Sequence, residues 1–127
     1  MALSEYTILV ADYIPTDMLL FKILLEQAHC RLLTTTHSCN ILQKARESRP
    51  DLILLDIRMP GLDGFEVAAI LQAEEATRNI PILYVVNTGD YPIFMPDGRA
   101  LSDKEYREKP FGMQQLVKRI LQKLEKE

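Results

Sequence analysis

Pro50-Asp51-Leu52-Ile53-Leu54-Leu55-Asp56-Ile57-Arg58-Met59-Pro60-Gly61-Leu62-Asp63-Gly64 is an apolar run delivered onto a carboxylate and followed at once by a turn. It shows no polar alternation, so it reads as a strand buried on both faces, as in parallel sheets with helices on either side. Asp56 then stands at the carboxyl end of a central strand, the edge at which open α/β sheets bind ligands and do chemistry.

Upstream, Tyr6-Thr7-Ile8-Leu9-Val10-Ala11-Asp12 is a second apolar run that ends on an aspartate. Pro15-Thr16-Asp17 supplies helix-start chemistry. Leu20, Phe21, Leu24, Leu25 and Ala28 then recur at three- and four-residue spacing and predict the face that lies on a sheet. Arg31 to Thr36 reads as a shorter strand nearer an edge. His37, alone in a loop, is assigned no role. Asn40 is the expected cap of a helix through Ile41, Leu42 and Ala45 to about Ser48, stopped by Arg49-Pro50.

Downstream, a helix is expected from Gly64 through Ala73, finishing near Glu75 to Arg78. Ile80 to Val86 follows as a strand with Pro81 at its entry, where a missing amide is tolerated. The alternation of strand and helix implies a doubly wound parallel α/β sheet with right-handed crossovers. From Asn87 to Glu105 the pattern breaks, because Gly89, Pro92, Pro96 and Gly98 oppose a regular helix. Ser102-Asp103-Lys104-Glu105 has the form of a capping box and competes with a short charged strand around Tyr106. After Lys109-Pro110-Phe111, a last helix runs from about Met113 to Lys126 with a stripe of Leu116, Val117, Ile120, Leu121 and Leu124.

The 127 residues, 47% hydrophobic and 26% charged, suit one globular domain spanning 1–127. A net charge of −3 gives no push toward nucleic acid or an anionic membrane, so neither is expected as a partner. Cys30 and Cys39 form no CxxC or Cys/His spacing and are read as reduced thiols. No apolar run approaches the roughly 20 residues of a membrane span, and a cytoplasmic location is expected. No P-loop, G-x-G-x-x-G, G-x-S-x-G elbow or metal-binding histidine pair is present, which removes the common nucleotide, hydrolase and zinc enzyme classes. Asp12 and Asp56 as a phosphatase's paired carboxylates is a distant alternative.

Ile8 to Asp12, Pro50 to Asp56 with Met59-Pro60 and Asp63-Gly64, Ile80-Pro81-Ile82 and Lys109-Pro110-Phe111 together resemble the receiver domains of two-component response regulators. The resemblance spans nearly the whole chain. It implies a CheY-like (βα)5 flavodoxin-like fold of sheet order 2-1-3-4-5, one of the common doubly wound orders, here with an irregular fourth-helix region. It implies a signalling domain rather than an enzyme: Asp56 accepts a phosphoryl group from a histidine kinase or phosphotransfer protein, and a downstream protein partner or output domain is regulated. By the same resemblance Lys109 neutralises phosphoryl oxygens, and Mg²⁺ is held by Asp12, Asp56 and the main-chain carbonyl of Arg58. Tyr106 matches the aromatic switch residue.

Three positions depart from that pattern. Tyr13 stands where a second acid is usual, and a phenol offers no anionic oxygen at neutral pH. Val86 stands where a hydroxyl bonds the phosphoryl group, and an aliphatic side chain donates no hydrogen bond; Thr88 is the candidate substitute. The Asn87 to Glu105 segment replaces a helix. These departures predict weakened Mg²⁺-dependent activation, with a phosphorylation-independent interaction module as the alternative.

Overall fold

The computed structural model describes residues 5–59, 61–86, 98–100, 106–108 and 113–126. Its strands are β1 (Thr7–Ala11), β2 (Arg31–Thr35), β3 (Leu52–Asp56), β4 (Ile82–Val86) and β5 (Tyr106–Glu108). Its helices are α1 (Pro15–Gln27), α2 (Ser38–Ser48), α3 (Gly64–Ala73) and α4 (Met113–Lys126). The strands form one sheet in the order β2-β1-β3-β4-β5. Every neighbouring pair is parallel, as the alternating sequence pattern requires. The irregular segment expected between Asn87 and Glu105, including the Ser102 capping box, lies outside the described residues apart from 98–100.

Strand side chains alternate between two apolar layers. Ile8, Val10, Leu52, Leu54, Leu83 and Val85 pack with α1 and with Leu116 and Ile120 of α4. Leu9, Ala11, Ile53, Leu55, Ile82, Tyr84 and Val86 pack with Ile41 and Ala45 of α2 and Val67, Ala68 and Leu71 of α3. All five residues of β3 are buried, which is why its sequence carries no alternation. At its entry Asp51 joins the two central strands, its carboxylate accepting from the Thr7 amide at 2.7 Å while its own amide donates to Thr7 O at 2.8 Å.

The helices correct the sequence reading in three places. In α1 the buried face is Met18, Phe21, Leu24 and Leu25, with Leu20 exposed beside Leu19 and Ile23. The helix is apolar on nearly all sides, so composition alone does not mark the inner face. Helix α2 begins at Ser38 rather than after Asn40, whose amide already donates to His37 O at 3.1 Å. Helix α3 stops at Ala73, and the buried Thr77 hydroxyl turns back to donate to Leu71 O at 2.6 Å. That bond satisfies one of the carbonyls left open at a helix end. Arg49 takes the left-handed conformation (φ 46°) that ends α2 ahead of Pro50.

On the surface, Arg46 of α2 makes a two-point ion pair with Glu74 just past α3. The hydrogen bond from Arg46 is the main cause holding the Glu74 carboxyl below its usual value. Cys30 and Cys39 are both free thiols. Burial pushes the Cys30 thiol up, away from the reactive thiolate.

Candidate phosphoacceptor site

Two carboxylates end the two central strands. The register pairs Ala11 with Leu55, and one step further on lie Asp12 and Asp56. Neighbouring strands run about 4.8 Å apart, and Asp12 and Asp56 share the strand parity of Val10 and Leu54. The two carboxylates therefore belong to one side of the sheet edge. Their exposures are 0% and 1%, an expensive location for charge unless it is compensated. The Asp12 amide extends the ladder to Thr35 O at 3.2 Å, which fixes the backbone at that edge.

Each aspartate also closes a short turn on itself. Asp12 Oδ1 accepts from the Ile14 amide at 3.1 Å, and Asp56 Oδ1 accepts from the Arg58 amide at 2.9 Å. Such Asx turns orient the carboxylates and define the start of each following loop. The Arg58 residue is exposed, and its main-chain amide is held at Asp56. Tyr13 is 39% exposed at the mouth of this edge. Among the described residues, no group of three or more His, Cys, Asp or Glu side chains is placed to hold a metal ion.

Val86 is fully buried in the layer formed with α2 and α3. Its neighbour Val85, not Val86, is the register partner of Asp56. Tyr106 is placed by its backbone opposite Tyr84 in the β4–β5 pairing. The ring of Tyr84 is buried and packs on Phe65 of α3, with centroids 5.0 Å apart and planes tilted by 58°. Lys109 and Thr88 lie outside the described residues.

Beyond Asp56, the chain turns into α3 through a capping box. Asp63 Oδ1 accepts from the Glu66 amide at 2.9 Å, and Glu66 Oε1 accepts from the Asp63 amide at 3.0 Å. The Asp63-x-x-Glu66 spacing is a sequence signal for this cap, one that the expectation of a helix from Gly64 leaves unused. Asp63→Ala is expected to lower stability by about 1 kcal/mol, read as a lower urea midpoint at unchanged slope. A second connection missed from sequence is the Ser38 hydroxyl, which accepts from the Leu62 amide at 3.2 Å.

The family model described as the response regulator receiver domain matches residues 8–121. Protein PilH of Pseudomonas aeruginosa is 32% identical over 113 residues, covering 89% of this chain and 93% of its own. Among solved structures, a response regulator receiver domain protein from Clostridium thermocellum superposes with a TM-score of 0.79 at 25% identity, covering 95% of each chain. The receiver domain of the sensor histidine kinase PA1611 of Pseudomonas aeruginosa, solved with magnesium coordinated in its active-site cleft, gives 0.77 at 23% identity over 94% of this chain and 98% of its own. At that identity the likeness is one of fold.

Proposed function

Because the chain belongs to the response regulator receiver domain family, and so to two-component phospho-accepting signalling, we propose that Asp56 is its phosphoacceptor. The observation that carries the reading is the pair of buried carboxylates, Asp12 and Asp56, on adjacent strand ends. An Asp56 oxygen attacks phosphorus, the bond from phosphorus to the donor's nitrogen or acyl oxygen breaks, and the donor leaves with that electron pair. The product is an acyl phosphate on Asp56. Phosphoryl transfer is accelerated mainly by placement and charge neutralisation, and Lys109 is assigned the neutralising role.

The donor set suits Mg²⁺. This ion takes hard oxygens and is commonly held by one or two carboxylates with waters completing the octahedron. Asp12, Asp56 and the main-chain oxygen of Arg58 would hold it, and when bound it would supply positive charge to the transferring phosphoryl oxygens. Tyr13 removes one anionic ligand from that set, which supports weakened rather than abolished binding. Val86, buried in an apolar layer, offers no hydroxyl, so the phosphoryl group and Tyr106 are assigned only loose coupling. A histidine kinase or phosphotransfer protein is the proposed donor, and a protein partner or output domain the proposed target. A cytoplasmic location is proposed together with the two-component role; no helix among the described residues is long and apolar enough to cross a membrane.

Incubation with acetyl phosphate and Mg²⁺, followed by intact mass, tests the reading. Wild type is expected to gain one phosphoryl group that Asp56→Ala does not gain. An adduct that survives Asp56→Ala, or none on wild type, would favour the phosphorylation-independent interaction module instead.

A further inference from the structure

The connection from β3 to α3 is fastened at its inner end by bonds to its own flanking residues. Arg58 N donates to Asp56 Oδ1 at 2.9 Å, and Gly64 N donates to Ile57 O at 2.9 Å. Ile57 and Met59, in its first half, are buried. Its outer half is fastened to a different helix, where Leu62 N donates to Ser38 Oγ across 24 positions of sequence. Gly61 lies directly against the same oxygen. A Cβ there would sit 2.9 Å from Ser38 Oγ, and the backbone is left-handed with φ +86°. Glycine at 61 is thus what lets the loop turn under the hydroxyl.

Ser38 is also not where a capping serine belongs. The N-cap position of α2 is His37, which makes no side-chain capping bond, while Ser38 is one residue inside the helix and buried. Its oxygen faces the loop that follows Asp56.

We infer that Ser38 is a positioning residue for the phosphoacceptor site: through Leu62 and Gly61 it fixes the loop after Asp56, and so the main chain of Arg58 relative to Asp12 and Asp56. This rests on the assignment of Asp56 and Arg58 given above. Mg²⁺ tolerates little departure from octahedral geometry, so a carbonyl ligand on a loosened loop binds less well even when both carboxylates are intact. Groups that orient metal ligands without touching the metal act in this way.

The test compares wild type, Ser38→Ala and Arg46→Ala, the last removing a surface link between α2 and the end of α3. Backbone amide exchange and Mg²⁺ titration followed by amide NMR are measured on the whole chain. In Ser38→Ala, exchange at Leu62 is expected to speed up about tenfold, and the Mg²⁺ dissociation constant read at Arg58 to rise about tenfold. Arg46→Ala is expected to change neither. If Leu62 loses protection but Mg²⁺ affinity stays within about twofold of wild type, a negligible free-energy change, the inference is overturned while the Asp56 assignment stands. If wild type itself shows no Mg²⁺ shifts, both readings fall together. Should Ser38→Ala not fold, Gly61→Ala presses on the same contact from the loop side and must weaken Mg²⁺ in the same way; unchanged affinity there overturns the inference.

Discussion

Gly64→Ala is expected to destabilise the protein by about 3 kcal/mol, the upper part of the range for forcing atoms into a packed site. A Cβ at Gly64 would lie 2.6 Å from Ile57 Cα and 2.7 Å from Asp56 O. Both are backbone atoms of β3 and the turn after it, so no side-chain rotation can make room. Gly64 opens α3, and its amide donates to Ile57 O at 2.9 Å. The methyl must therefore drive the helix start away from the strand end and stretch that bond. Helix propensity works in the opposite direction, since alanine is favoured over glycine inside a helix by about 1 kcal/mol. The steric term is the larger. Urea denaturation measures the result, with Gly98→Ala as control. Gly98 has φ +89° but nothing within 4 Å of an added Cβ, so its variant carries only the backbone cost of about 1–2 kcal/mol. A Gly64 variant no less stable than the Gly98 variant would show that α3 can shift freely on β3. Because Asp56 O is one of the obstructing atoms, Gly64→Ala is also expected to lose phosphoryl acceptance from acetyl phosphate.

The parts of the fold legible in the sequence are those that burial writes into composition. β3 and β4 are buried at every position, and their unbroken apolar runs point to the parallel sheet and to a strand-end aspartate; the sheet order comes with the family resemblance. α4 is legible because its stripe of Leu116 and Ile120 is bounded by charge. Leu20 of α1 is misplaced by periodicity for the reverse reason: Leu19, Leu20 and Ile23 are apolar and exposed, so the periodic signal has no polar face against which to stand out. Asn40 suggests a cap because its residue type favours that position. The actual start of α2 is decided by the turn at Thr35 and His37, where His37 N donates to Thr35 Oγ1 at 3.4 Å. Of the proposed site, Asp12 and Asp56 are readable as strand-end carboxylates, while the role proposed for the Arg58 main chain comes with the family resemblance. The Ser38 bond to Leu62 is not readable, because a serine at a helix start has an ordinary local explanation and its partner is distant in sequence.

Tyr13→Asp is expected to tighten Mg²⁺ binding about tenfold, a gain of about 1.4 kcal/mol. The direct attraction between two unit charges 4 Å apart is about 4 kcal/mol at the effective dielectric of a protein surface. Position 13 is 39% exposed, so water screens part of this, and repulsion from Asp12 and Asp56 opposes the rest. The same repulsion makes the sign of the stability change depend on the metal. In EDTA a third carboxylate at this edge is expected to lower stability by about 1 kcal/mol. At a Mg²⁺ concentration of about 100 times the variant's dissociation constant, binding stabilises the variant by about 2.7 kcal/mol and wild type, whose constant is about tenfold higher, by about 1.4 kcal/mol, so the variant's extra gain of about 1.3 kcal/mol slightly exceeds its loss without metal. Thermal unfolding should therefore cross: the variant melts below wild type without metal and above it in excess Mg²⁺, and acetyl phosphate labels it faster. Tyr13→Asn separates charge from bulk, since it opens the same space with a neutral oxygen. If the asparagine variant matches the aspartate variant in Mg²⁺ affinity, the phenol hinders the site by its size. If only the aspartate variant gains, the deficit at position 13 is one of charge, and the pair of carboxylates at the ends of β1 and β3 is a site short of one anion.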